Sequence, residues 1–197
     1  MSGEVYELLL RHPHLLNEKT LIIGAEASLP SGWLGQLQES GCTFNSWDLP
    51  TTQACAALGD KSVYGLPQPE QLQDFDTVIL LWPKAKQLGL TLVSLIAASH
   101  NGCYIAGAND SGGKSIGKAC KDLAEETEKV DSARHCSLWH LQLKEQNSFN
   151  WLKFAASFSH NGNSYMTLPG VFNHGSLDKG TAILLEHVPA PAHGRLL

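Results

Sequence analysis

Phe75-Asp76-Thr77-Val78-Ile79-Leu80-Leu81-Trp82, closed by Pro83, is the stretch on which the fold turns. From Val78 to Trp82 no polar residue interrupts the run, so it has no face fit for water. Strands of that kind are covered on both sides and belong to parallel sheets flanked by helices. Pro83 cannot donate to a ladder and ends the strand. Downstream, the apolar spacing from Lys86 to Ser99 predicts an amphipathic helix, and Gly102 to Ala106 predicts another buried strand. Upstream, Thr20-Leu21-Ile22-Ile23-Gly24 is a short apolar run ending in glycine, a helix is expected over Gly32 to Glu39, and Cys42 to Trp47 alternates like a strand. Strands alternating with helices imply a parallel, doubly wound α/β sheet.

The remaining elements follow from weaker signals. Ser2 to Leu16 predicts a first helix with Ser2 as its cap, Gln53 to Leu58 a weak helix, and Ser62 to Tyr64 a short strand. The loop from Gly107 to Gly113 leads into a helix expected over Lys114 to Glu125. His135 to Leu143 and Phe154 to Ser159 read as late strands that pack antiparallel at one edge. Asn161-Gly162-Asn163 is a hairpin turn into a strand at Ser164 to Thr167. A glycine-bearing loop then runs into an apolar helix before Val188. Beyond the Pro189 to Ala192 linker, Gly194 to Leu197 reads as the opening of a buried strand, so the chain is expected to be the front part of a longer protein.

Composition narrows the function classes. The 197 residues are 43% hydrophobic and 17% charged, which fits a globular core and argues against disorder. No apolar run approaches the roughly 20 residues needed to cross a bilayer, and Glu4, Glu7 and Arg11 reverse the charge order of a secretory leader. Five widely spaced cysteines, without a Cys-x-x-Cys pair, point to buried thiols in a cytoplasmic protein. A net charge of −5 is not the signature of a dedicated nucleic-acid binder, so RNA contact would rest on local basic clusters. Nine histidines include His12 and His14 two apart and His135 and His140 five apart, neither of which is the i, i+4 spacing of a helical zinc pair; no metal site is expected.

Three stretches could carry chemistry. Ala108-Asn109-Asp110-Ser111-Gly112-Gly113-Lys114-Ser115 satisfies a permissive phosphate-loop pattern between a strand and a helix. A nucleotide triphosphatase also needs a strand ending in Asp to hold magnesium, and no later strand supplies one. The loop after the first strand, Gly24-Ala25-Glu26-Ala27-Ser28-Leu29-Pro30, has one glycine, a carboxylate and a proline, a poor cradle for a dinucleotide or S-adenosylmethionine. Basic residues gather at Lys84, Lys86, Lys114, Lys118, Lys121, Lys129 and Arg134. In a doubly wound sheet, loops after strand C-termini share one edge, so Lys84, Lys86 and Lys114 are expected on one rim, with Trp82 as a stacking surface. Lys84, Lys86, Lys114 and Arg134 are the candidate RNA contacts.

Several stretches together resemble the bacterial family of ribosomal RNA small subunit methyltransferase C, which methylates the N2 of a 16S rRNA guanine from S-adenosylmethionine. They are Glu7-Leu8-Leu9-Leu10-Arg11-His12, Leu80 to Lys86, Gly107 to Gly112, Lys129-Val130-Asp131-Ser132-Ala133-Arg134-His135-Cys136, Leu168-Pro169-Gly170-Val171-Phe172 and Leu177-Asp178-Lys179-Gly180. The resemblance implies a degenerate Rossmann-like methyltransferase domain over residues 1–148, mostly parallel with an antiparallel edge. Residues 149–197 would be a hairpin and helix leading into a second, catalytic domain. Where a catalytic motif would follow its strand, this sequence reads Leu81-Trp82-Pro83-Lys84, without the Asn that would orient a guanine amino group. The resemblance also implies that Gly170, Val171, Phe172, Lys179, Gly180 and Thr181 contact S-adenosylmethionine in the full-length protein only. Where the family often has Ser after Phe, Asn173 stands here. Catalytic residues, bound cofactor and metal are not expected in this chain.

The function so implied is a non-catalytic N-terminal domain of an rRNA methyltransferase, whose partners are its own catalytic domain and small-subunit rRNA or the 30S particle. Two other readings stay open on the residues alone: a nucleotide-binding protein using Gly113-Lys114-Ser115, and a pure protein-interaction module.

Overall fold

The computed structural model describes residues 3–25, 39–57 and 61–187. They divide into two compact units, one ending at Phe149 and one beginning at Asn150.

In the first unit, β1 (Thr20–Ile23), β2 (Thr43–Ser46), β3 (Ser62–Tyr64), β4 (Thr77–Leu81), β5 (Gly102–Ala108), β6 (Ala124–Ala133) and β7 (Cys136–Leu143) form one sheet in the order β3-β2-β1-β4-β5-β7-β6. The first five strands are parallel, with β1 seated between β2 and β4 in the registers Leu21↔Thr43 and Leu21↔Val78. β7 runs antiparallel to β5 from Gly102↔Gln142 to Ala108↔Cys136, and β6 runs antiparallel to β7 at the outer edge. This is the mostly parallel α/β sheet with an antiparallel edge that the apolar runs predict.

The helices are α1 (Glu4–Leu10), α2 (Leu49–Ala57), α3 (Pro69–Leu72), α4 (Lys86–Ile96) and α5 (Ile116–Ala119). α1 stops well short of Leu16 because Pro13 disfavours helical backbone at His12 and opens a separate 3-10 turn. Its N-cap is Gly3, and Ser2, the expected cap, lies outside the described residues. The expected helix from residue 32 also lies almost wholly outside them.

Alternation along β4 sets the two layers of the core. Ile79 and Leu81 join Val5, Leu8 and Leu9 of α1, Ile22 of β1, Phe44 of β2 and Leu138 of β7 in one buried cluster. Val78 and Leu80 are equally buried but lie outside that cluster, and α4 packs against β4 with Leu88, Leu92, Val93, Leu95 and Ile96 buried. Each such side chain contributes about 1.5–3 kcal/mol when fully removed from water.

At the antiparallel edge one expectation fails and one strand goes unannounced. The helix expected over Lys114 to Glu125 is only a 3-10 turn at Gly113–Ser115 followed by the single turn of α5. A Cβ at Gly117 would stand 2.5 Å from the Trp139 ring, so the backbone lies flat on that indole, and after Cys120 the chain turns into β6. β6 carries Glu125, Glu126, Glu128, Lys129 and Asp131 and is exposed along most of its length, so no apolar alternation announces it. It joins β7 through Arg134 and His135, both at positive φ (52° and 57°), a turn usually marked by Asn-Gly.

In the second unit, β8 (Ala156–His160) pairs antiparallel with β9 (Asn163–Thr167) as a separate hairpin. The strand expected at Phe154 to Ser159 therefore lies in this hairpin and not at the edge of the large sheet. Asn161 and Gly162, both at positive φ, make the turn. A loop then leads to α6 (Lys179–His187). Residues 188–197, with the expected linker and strand opening, lie outside the described residues.

Candidate functional site

In an open α/β sheet, ligands meet the loops that follow the C-terminal ends of the parallel strands. After β1 the chain turns at Gly24 with φ +90°. Its N–H donates to Asn45 O at 3.0 Å, and the Ala25 N–H donates to the same carbonyl at 3.2 Å. The Ser46 hydroxyl donates to Ala25 O at 2.6 Å. A Cβ at Gly24 would meet Leu81 O at 3.1 Å and the Trp47 ring at 3.2 Å. The glycine thus accommodates the protein's own carbonyl and indole, and the donors nearest to β1 are engaged. Residues 26–30 of the loop lie outside the described residues.

The carboxylate after β2 is Asp48. In dinucleotide-binding sheets an acid near this place bonds a ribose. Here Asp48 Oδ2 accepts from the Thr51 N–H at 3.0 Å and from the Thr51 hydroxyl, which caps the first turn of α2. Nothing in the sequence singles it out, because a cap and a ribose ligand look alike until the helix start is known.

After β4, Trp82 is buried with 3% of its surface exposed and is not the stacking surface the sequence suggested. A Cβ at Gly89 would stand 2.9 Å from its ring, and one at Gly107 would stand 2.8 Å from its Cβ. The indole therefore fills a slot left by two glycines, one in α4 and one in β5.

After β5, the Gly-Lys-Ser stretch does not form a wide cradle. It is broken into 3-10 turns at Asn109–Ser111 and Gly113–Ser115 with Gly112 left-handed between them. A Cβ at Gly113 would lie 2.2 Å from Gly107 O, so the loop is pressed onto β5, and the Trp139 indole donates to Gly113 O at 2.9 Å. The single-turn α5 that follows is too short to present a helix N-terminus to a phosphate.

The four candidate RNA contacts separate. Lys86 lines a pocket of about 560 Å³ with Trp82, Lys118 and Lys121. Lys114 lines a different one, of about 480 Å³, with Glu4, Asp110 and His135. Arg134 is exposed and its Nε lies 3.2 Å from Glu7 Oε2, while Lys84 is exposed and lines neither pocket. Lys118 and Lys121 belong to the basic gathering in the sequence, but only the fold sets them beside Lys86 in one pocket.

Titratable groups elsewhere serve the fold. Asp131 accepts from His12 Nε2 at 2.9 Å and lies 3.1 Å from Arg11 Nε; the His12 bond, with the Ser132 N–H and the Arg11 charge, holds its carboxyl below the usual range. Burial pushes the Cys103 thiol up and the Cys120 thiol to about 12, so neither is a nucleophile at neutral pH. Among the described residues no group of His, Cys, Asp and Glu is arranged to hold a metal ion.

The six candidate cofactor contacts all lie in the second unit and all are exposed. Gly170, at φ +98°, Val171 and Phe172 form the turn after β9, and Lys179, Gly180 and Thr181 open α6. Asp178 Oδ2 caps that helix by accepting from the Thr181 N–H at 3.0 Å, and Asn173 Nδ2 reaches Asp178 Oδ1 at 3.3 Å, tying the turn to the helix start. Phe172 is 78% exposed, and Ile183, Leu184 and Leu185 are exposed as well.

The chain matches the family model described as "Methyltransferase small domain N-terminal" over residues 6–158. Ribosomal RNA small subunit methyltransferase C of Pseudomonas entomophila is 33% identical over 199 residues, and that of Stutzerimonas stutzeri 34% identical over 201 residues. Both alignments cover 97% of this chain and 58% of the relative, so the chain spans little more than half the length of these relatives. Among solved structures, a T. thermophilus 16S rRNA N2 methyltransferase in complex with AdoMet and guanosine superimposes with a TM-score of 0.68 at 20% identity, over 93% of this chain and 51% of that one, a likeness of fold. With sequence and fold in agreement, the chain belongs to the methyltransferase small domain N-terminal family and resembles the N-terminal part of ribosomal RNA small subunit methyltransferase C.

Proposed function

We propose that this chain is the non-catalytic N-terminal domain of an S-adenosylmethionine-dependent 16S rRNA (guanine-N2)-methyltransferase of the cytoplasm. On this reading, residues 1–148 are a degenerate methyltransferase domain that supports folding of the catalytic half and helps to hold small-subunit rRNA. Residues 149–197 lead into that half. The observation that carries the reading is the occupied edge of the sheet. The Gly24 and Ala25 N–H groups are satisfied by Asn45, Trp47 lies against Gly24, and Asp48 caps α2, so the sheet does not fit the cofactor as it stands. The exposed residues Gly170 to Phe172 and Lys179 to Thr181 are, on this reading, the chain's contribution to a cofactor site completed by the catalytic half.

Calorimetric titration with S-adenosylmethionine tests this directly. The 197-residue chain is expected to give no binding heat, and the same chain extended through the catalytic half is expected to bind and to methylate 16S rRNA. Saturable binding by the 197-residue chain alone would overturn the proposal.

A further inference from the structure

The pocket beside Trp82 joins Lys86, one of the candidate RNA contacts, to Lys118 and Lys121 and leaves out Lys84 and Lys114. Trp82, 3% exposed as a whole residue, lines it with its indole, and the indole N–H donates to no acceptor among the described residues. The contrast with Trp139 is instructive, since that indole donates to Gly113 O at 2.9 Å. The Nε1 edge of Trp82 faces Gly112, another lining residue, where an added Cβ would stand 3.4 Å from it. That N–H is not shut away from the pocket, so an acceptor that enters can reach it.

The walls specify the acceptor. Lys86, Lys118 and Lys121 line the same pocket against a single carboxylate, Asp122. Lys86 is also the first residue of α4, an eleven-residue helix whose N-terminus no side chain caps. The partial positive charge of that terminus adds to the three ammonium groups at the rim. The hydroxyls of Ser111 and Ser115 complete a lining that is rich in donors. About 560 Å³ is ample for a phosphate with part of its sugar.

We propose that this pocket binds a backbone phosphate of a single-stranded RNA segment, with the Trp82 indole N–H donating to a phosphate oxygen and Lys86, Lys118 and Lys121 balancing the charge. The proposal rests on the reading of the domain as one that holds rRNA, and it gives that reading a location different from Lys114 and Arg134. Binding of this kind tracks the backbone and is independent of sequence.

The test uses the 197-residue chain labelled with nitrogen-15, in which the Trp82 indole signal is identified by its loss in Trp82→Phe. The probes are a single-stranded oligouridylate of about ten nucleotides, AMP and inorganic phosphate. The RNA is expected to move the Trp82 indole signal. The double variant Lys118→Gln, Lys121→Gln, changed only at exposed positions, is expected to bind it about tenfold more weakly at low salt. The slope of log affinity against log salt should flatten by about 1.4, or about 0.7 for each lost contact to a single strand. RNA binding with undiminished affinity and slope in the variant, and with an unmoved Trp82 signal, overturns the pocket but leaves the RNA-holding role of the domain. Failure of the unaltered chain to bind RNA at all overturns both. In that case a Trp82 signal that still moves with AMP or inorganic phosphate assigns the site to a free phosphate compound.

Discussion

The C-terminal edge of the large sheet and the loop that opens α6 are made of the same materials: glycines, an aspartate cap and large apolar side chains. They use them in opposite ways. At the sheet edge the glycines take up the protein's own indoles, with Gly24 under Trp47 and Gly89 and Gly107 around Trp82. In the second unit Gly170 turns the chain so that Val171 and Phe172 stand in solvent, and α6 buries none of its residues. The difference teaches that the same residue types can close one edge with packing and leave another loop open. The proposed role of the chain follows from that contrast.

The contrast can be broken most forcefully at Trp82. Trp82→Ala should cost about 4 kcal/mol of stability by emptying the slot between Gly89 and Gly107, read as a lower urea midpoint. Gly113→Ala should cost about 3 kcal/mol, because its Cβ would collide with the Gly107 carbonyl and backbone cannot step aside as a side chain would. Asp48→Ala should cost about 1 kcal/mol as a lost helix cap, without changing any response to S-adenosylmethionine.

A smaller effect is expected at Asp131, where the sign of the pH dependence is fixed. Its carboxyl is held below its ordinary value of 3.8 in the folded chain, so its contribution is full above that value and is lost as pH falls through the lower folded one. Asp131→Asn should therefore be less stable than the unaltered chain at neutral pH, and the gap should close in acid below pH 3.8. At the other pole of the comparison, Phe172→Ser should change stability by no more than about 0.5 kcal/mol, since the ring is 78% exposed. A large loss there would show that the loop is packed and not open.

The parallel half of the fold was legible because burial on both faces writes itself as an uninterrupted apolar run. β1, β4 and β5 follow from Leu21 to Ile23, Val78 to Leu81 and Gly102 to Ala106, and α4 from its periodic leucines. β6 was not legible, since an edge strand exposed on both faces needs no apolar residues, and its turn is made by Arg134 and His135 without glycine. The candidate site was legible only in part. Trp82 looked like a stacking surface because the glycines that bury it are 7 and 25 positions further along the chain, as the numbers of Gly89 and Gly107 give. Lys86 and Lys114 are close in expectation but line different pockets, because Gly112 and Gly113 turn the loop away between them.

The illegibility of β6 has a use of its own. Every second N–H and C=O along an outermost strand is unpaired and can template a strand from a neighbouring molecule. On β6 that invitation is withdrawn twice: charges at Glu125, Glu126, Glu128, Lys129 and Asp131 keep a like strand at a distance, and register shifts near Glu126 and Asp131 make the edge irregular. The same residues that hide the strand from a reader of the sequence keep two copies of the chain from zipping together along it.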